Sequence, residues 1–192
     1  AGQETGFDDP RTDVFWSMMK IISIKQPKVV IIENVKGILR YIDLVKSSYE
    51  EHGYRLYVTT LNSKNFRVPQ ARIRVFLIGI RNDLEGEFIE PTPTGTVTLR
   101  SSIDERVPKK YELRDGTWEW MQRHAEKHKA KGNGFGHTIV DLDGIAPTFV
   151  KRYHKDGANC LIPMPEGSNP RKATPREVAR IMGFPDSFEI VV

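Results

Sequence analysis

The chain carries a single cysteine, Cys160, among its 192 residues. That excludes an internal disulfide and any metal site built from several cysteines of one chain, and no metal site is expected. A reducing compartment is compatible with it. Long apolar runs are missing too. The longest are four residues, as in Val29-Val30-Ile31-Ile32, where a membrane-spanning helix needs about 20. The opening residues, Ala1-Gly2-Gln3-Glu4, hold no basic start followed by an apolar stretch, so the secretory-signal pattern is not expected here. Internal repeats and low-complexity tracts are also lacking, which sets aside solenoids and compositionally biased tails.

What is present suits a soluble globular protein. Hydrophobic residues make up 39% of the chain, enough to bury a core in one domain or in a large and a small lobe. Net charge is +4, and its distribution says more than its size. Residues 1–99 hold 13 Lys and Arg against 12 Asp and Glu, whereas residues 151–180 hold 7 against 3. A basic excess in a stretch with little periodicity suits a phosphate-facing surface, or else an ordinary solvated face.

Between Asp13 and Lys25, Val14, Met18, Ile21 and Ile22 recur at helical spacing and predict one face of an amphipathic helix. Gln26-Pro27 stops it. Lys28 to Ile32, short and β-branched, predicts a fully buried strand that ends on the polar pair Glu33-Asn34. Ile38, Ile42, Val45 and Tyr49 repeat the helical spacing, and Gly53 is the expected stop. Arg55–Leu61 and Arg74–Ile80 predict two further strands. The alternation predicts an α/β sheet with helices packed on it.

The texture changes near Glu90, where Pro91, Pro93 and Gly95 break any regular element. One helix is expected around Trp118–Lys131, with Trp118, Met121, Ala125 and His128 on one face. Residues 132–172 predict loops and short strands. Thr174-Pro175-Arg176-Glu177 is a helix start, with a capping threonine, a first-turn proline and a glutamate that completes a capping box. The expected organisation is an α/β lobe over residues 1–90, a loop-rich lobe over 91–171, and a helix in 172–192 that returns to the first lobe.

Two places have the residue types of a site. Open α/β sheets bind ligands at the carboxyl ends of their strands, where Glu33-Asn34 lies. A carboxylate desolvated there has a raised pKa and serves as proton donor or selective hydrogen-bond partner. A loop cap or an ion pair with Lys36 is the plainer role for the same side chain. Farther on, period two places Gln70, Arg72 and Arg74 on one strand face. Two guanidiniums and an amide suit phosphates or a base carbonyl; a charged, solvated sheet edge has the same pattern.

Taken in order, these segments resemble the cytosine-C5 methyltransferases. Glu33-Asn34-Val35 after an apolar strand is similar to that family's ENV motif, and Gln70, Arg72 and Arg74 match its QxRxR motif. Gly6-Phe7-Asp8-Asp9-Pro10-Arg11 resembles the stretch after its catalytic loop. Arg171 to Glu177, continuing through Arg180-Ile181-Met182-Gly183-Phe184-Pro185, is similar to its late R-x-L-T-x-R-E…R-x-M-G-F-P motif. Gly132 to Gly136 and Arg152 to Gly157 look like target-recognition segments of bacterial members. ENV alone is unspecific; the motifs together, in order and at the right spacing, are specific. They cover almost the whole chain, with residues 84–131 contributing least.

The departures from the pattern are as informative. The family's nucleophile is a cysteine in a Pro-Cys loop expected just before Ala1, with its glycine-rich S-adenosylmethionine loop earlier still. Its final Asn-Ser-Val motif is expected shortly after Val192. Cys160 lacks a preceding proline and lies in the loop-rich lobe, so it reads as a small buried hydrophobe. The sequence therefore reads as a fragment.

The resemblance implies a partial Rossmann-like methyltransferase sheet with a smaller loop-rich target-recognition lobe. It implies a DNA cytosine-5 methyltransferase of restriction-modification type, acting with S-adenosylmethionine on a cytosine flipped out of the duplex. Glu33, Arg72 and Arg74 would be its catalytic residues here, Asn34 and Gln70 its substrate contacts, and Lys151, Arg152 and Lys155 its DNA contacts. Double-stranded DNA is the implied partner, together with a complementary chain carrying the missing motifs, in a bacterial or phage-encoded cytoplasmic setting. Most of the S-adenosylmethionine site would lie outside this chain, which alone would be inactive. A tRNA cytosine methyltransferase of the same family is one alternative, but its Cys-Phe-Thr stretch is absent. A non-catalytic DNA-binding subunit is another, which Glu33, Arg72 and Arg74 argue against, because a simple binder needs no base pocket.

Overall fold

A computed structural model describes residues 13–134, 136–150, 153–156 and 158–191. The Gly6 to Arg11 stretch lies outside them. The described chain divides into two compact units. The first takes the described residues up to Leu61 together with Ile73–Thr92; the second takes Asn62–Arg72 and the described residues from Pro93 onward.

The first unit contains helix α1 (Asp13–Lys25), strand β1 (Val29–Asn34), helix α2 (Ile42–Glu51), strand β2 (Tyr54–Asn62) except its last residue, and strand β3 (Ile73–Arg81). The strands form one sheet in the order β1-β3-β2. Strands β1 and β3 run antiparallel, with Val30 opposite Gly79 and Ile32 opposite Leu77. That parity puts Val30, Ile32, Val75 and Leu77 on one face. There they form a single apolar cluster with Met19 and Ile22 of α1, Val45 and Tyr49 of α2, and Tyr54. The approach of α2 is close: a Cβ on Gly79 would sit 2.7 Å from Cδ1 of Tyr49 and nearer still to Cε1. Only glycine admits the Tyr49 ring at that point.

Two sequence expectations need correction here. Helix α1 spans the residues expected, but it buries Met19 and Ile22, while Val14 and Ile21 are 73% and 60% exposed. The helix carries two apolar stripes. The sheet takes the one with Phe15, Met18, Met19 and Ile22, at i, i+3, i+4 and i+7, whose larger side chains bury more area. Strand β1 is not fully buried either. Val30 is buried but Ile31 is 68% exposed, because both helices pack on one face of the sheet. A four-residue apolar run looks the same whether one face or two are covered.

The second unit has helices α3 (Asp115–Ala130), α4 (Tyr153–Asp156) and α5 (Pro175–Ile181), and short 3-10 turns such as Leu99–Ser102. Isolated bridges replace a sheet: Ile139 with Leu161, Gln70 with Ala146, and Arg171 with both Ile162 and Glu112. Leu99, Phe149, Cys160, Ile162, Val178 and Ile181 belong to its main core, and Leu113, Met121 and Leu161 to a second. The expected capping box forms at α5: Glu177 N donates to Thr174 Oγ1 at 3.2 Å, and Thr174 N donates to Glu177 Oε2 at 2.8 Å.

Beside that cap lies a fully buried ion pair. Arg171 donates from both terminal nitrogens to the two Glu177 oxygens, at 2.7 and 2.8 Å, and both side chains are almost inaccessible. Burial pushes the Glu177 carboxyl up, but hydrogen bonds from Arg171 and from the Thr174 and Asp104 N–H groups outweigh it and hold the carboxyl below its ordinary value. Among the described residues, no helix is long and apolar enough to cross a membrane.

Candidate functional site

The carboxyl end of β1 gives the site its geometry. Glu33 lies opposite Phe76 of β3, so strand parity places Arg74, two residues along, on the same face as a diagonal neighbour. The two side chains meet: Arg74 Nε is 2.6 Å from Glu33 Oε1. A second Arg74 nitrogen donates to the Ile73 carbonyl at 2.8 Å, which fixes the fork of the guanidinium. This face carries neither α1 nor α2, β1 is an edge strand of the sheet, and the Glu33 side chain remains 45% exposed. Its neighbour is a cation, Arg74, rather than an apolar wall.

Asn34 has the opposite parity. Its Oδ1 accepts the Val35 N–H at 2.8 Å and turns the chain out of β1 into the 3-10 segment Lys36–Tyr41. Gln70 and Arg72 precede β3 and belong to the second unit, so strand periodicity does not extend to them. Tight local bonds, Gln70 N to Val68 O at 2.7 Å and Arg72 N to Gln70 O at 3.1 Å, replace the extended run there. Gln70 is buried. Its Oε1 accepts from Phe149 N at 2.9 Å and its Nε2 reaches Ile181 O at 3.5 Å, so one amide ties three segments of that unit together. Arg72 is half-buried, and its carbonyl accepts from Ser63 N at 3.1 Å.

Lys155 is exposed on α4. Lys151 and Arg152 lie outside the described residues. Cys160 is buried, and burial pushes its thiol pKa up, away from the reactive thiolate. It lines a cavity of about 190 Å³ in the second unit, with Thr138, Phe149, Tyr153 and Asn159. Among the described residues no group of three His, Cys, Asp or Glu converges to hold a metal. Sequence reasoning missed the Arg171–Glu177 pair. The capping box had already given Glu177 a role, and only the chain path brings Arg171 onto its remaining oxygen sites.

The whole chain, residues 1–192, matches the family model described as C-5 cytosine-specific DNA methylase. The chain belongs to that family. Membership agrees with the motif order. Among curated relatives, Type II methyltransferase M.NlaX of Neisseria lactamica is 37% identical over 199 residues, covering all of this chain and 63% of the relative. Type II methyltransferase M.SsoII of Shigella sonnei is 38% identical over 202 residues, covering all of this chain and 53% of the relative. The chain thus spans between half and two thirds of the length of these methylases. In fold it is similar to the Dnmt2 methyltransferase of S. pombe, with a TM-score of 0.70 and 21% identity over 98% of this chain and 64% of that one. A DNMT2 mutant of Spodoptera frugiperda gives 0.73 and 22%, over 99% and 66%. The mixed α/β character and the small sheet are those of part of a methyltransferase fold.

Proposed function

We propose that this chain is the base-holding and DNA-facing part of a restriction-modification DNA cytosine-5 methyltransferase. The observation that carries the reading is the Glu33–Arg74 pair, an acid and a guanidinium held 2.6 Å apart at the carboxyl end of a strand. A cytosine flipped out of the duplex presents N4, N3 and O2 along one edge. Glu33 accepts from the N4 amino group and favours a proton on N3. Arg74 donates to O2, and Arg72 to O2 or the adjoining backbone. Protonation at N3 withdraws electron density from the ring and prepares C6 for a thiolate. Neither Glu33 nor Arg74 replaces that thiolate. Asn34 and Gln70 act one step back, Asn34 by setting the turn after Glu33. Residues 91–171 are assigned to target recognition, with Lys151, Arg152 and Lys155 on DNA.

Family membership implies S-adenosylmethionine as methyl donor, which when bound supplies the electrophilic methyl group. The 190 Å³ cavity does not fit it: its described lining residues carry no charge to meet the donor's sulfonium or its amino-acid end. Most of the donor site is assigned to parts of the methylase that this chain does not contribute, on a complementary chain or segment in a bacterial cytoplasm.

The test mixes this chain with a separately expressed segment carrying the Pro-Cys and glycine-rich motifs, and follows labelled methyl transfer into duplex DNA. The mixture is expected to be active and each part alone inactive. Transfer by this chain alone would overturn the assignment.

A further inference from the structure

Among the described residues, three that are not glycine adopt a positive φ: Gln26, Arg67 and Cys160. This left-handed region costs an L-residue about 1–2 kcal/mol per residue, and two of the three have a local compensation. Gln26 closes α1, and its Nε2 donates back to the Ser23 carbonyl at 3.1 Å. Cys160 is buried in the main core of the second unit. Arg67, at φ 57, has neither. Its side chain is exposed, and it makes no side-chain hydrogen bond or ion pair among the described residues.

The position is one that glycine usually fills. The 3-10 turn Ser63–Asn65 ends at Phe66, and Arg67 follows as the first residue past the cap. The surrounding backbone holds it there. Phe66 N donates to Ser63 O at 2.9 Å, Arg67 N to Gly95 O at 2.9 Å, and Thr94 N to Asn65 O at 3.0 Å. Ser63 Oγ adds a bond to the Gln70 carbonyl. Strain of this kind persists where the surroundings over-determine it, and it gathers at functional positions. The result is a guanidinium with no partner among the described residues, carried on a backbone held at both sides, in the segment that leads into the QxRxR motif.

We propose that Arg67 is a DNA-phosphate contact, displayed from a backbone conformation in which glycine would be more stable. The proposal rests on the DNA-facing reading above. A guanidinium on a held backbone meets a phosphate without further ordering of the loop, and its planar fork makes a two-pronged hydrogen bond. Its retention in place of glycine trades stability for binding.

The experiment measures duplex oligonucleotide binding by fluorescence anisotropy across a KCl series, beside thermal unfolding, for the wild-type chain, Arg67→Gly and Arg67→Lys. Arg67→Gly is expected to raise Tm by roughly 2–4 °C, to weaken binding several-fold, and to lower the salt slope by about one unit. Arg67→Lys is expected to keep both the slope and the wild-type Tm. A glycine variant that binds with unchanged slope and affinity overturns the proposal while leaving the DNA-facing reading intact. A glycine variant that loses stability as well as binding also overturns it, because Arg67 would then be structural. A wild-type chain that fails to bind duplex DNA at low salt refutes the DNA-facing reading, and the Arg67 contact with it.

Discussion

The first unit closes its core with apolar side chains against a sheet, and its backbone groups satisfy one another along the β1–β3 ladder. The second unit has no sheet among its described residues. Polar side chains do there what a ladder does elsewhere: Gln70, Arg171 and Glu177 are all buried, and all bond to backbone groups of distant segments. A loop-rich core must satisfy its backbone with side chains. Its stability is therefore concentrated in a few hydrogen-bonded residues, whereas that of the first unit is spread over packed area. The same substitution chemistry should then have opposite signs in the two units.

Glu177→Gln is the sharpest way to break the second unit. It leaves Arg171, 2% exposed, without a counter-charge, and removing one partner of a buried pair costs about 3–5 kcal/mol. Denaturant unfolding should show this loss. The pair also makes the second unit acid-sensitive. The Glu177 carboxyl is held below its ordinary value in the folded state. Its contribution is therefore complete above the ordinary carboxylate range and is lost as pH falls from there through the folded-state pKa. Wild-type stability should drop over that window, and the drop should shrink in Glu177→Gln.

Gly79→Ala tests the packing of the first unit. The added methyl meets the Tyr49 ring, and overpacking of this kind costs about 1–3 kcal/mol. Tyr49→Phe sharpens the contrast from the other side. The Tyr49 hydroxyl is buried with no hydrogen-bond partner, and burial pushes its pKa well up. Deleting that oxygen should leave stability unchanged or raise it by about 1 kcal/mol, the opposite of deleting a polar partner in the second unit. A clear loss in Tyr49→Phe would end the comparison.

A smaller effect is expected from the basic stretch of the sequence at 151–155. Replacing Lys151, Arg152 and Lys155 together by alanine should weaken duplex binding, with little change in unfolding. The salt slope should fall by about one unit for each phosphate that the variant no longer neutralises. Unchanged affinity and slope in a folded variant would remove these residues from the DNA-binding surface.

The regular elements were legible in the sequence because their signals are local. Helix α1 has its expected limits, β2 and β3 extend one residue beyond theirs at each end, and α5 has the capping box that Thr174 and Glu177 announced. What was not legible depends on other segments. Which of two stripes α1 buries, and whether β1 is covered on one face or two, is decided by the sheet and its second layer. Gln70 matched a strand period that begins only at Ile73, and its amide serves a core assembled from residues near 149 and 181. At the site, sequence parity was sufficient for Arg74, which lies within β3, and insufficient for Gln70 and Arg72, which lie before it.

The role of Glu33 is tested most directly in the reconstituted mixture of this chain with its upstream segment. The rate of labelled methyl transfer into duplex DNA is compared for wild type and Glu33→Gln, with DNA affinity measured beside it. Loss of a positioned acid is expected to slow transfer by about 10²-fold or more while duplex affinity stays close to wild type. Full-rate transfer by Glu33→Gln would contradict the assignment of the Glu33–Arg74 pair as the holder of the target base.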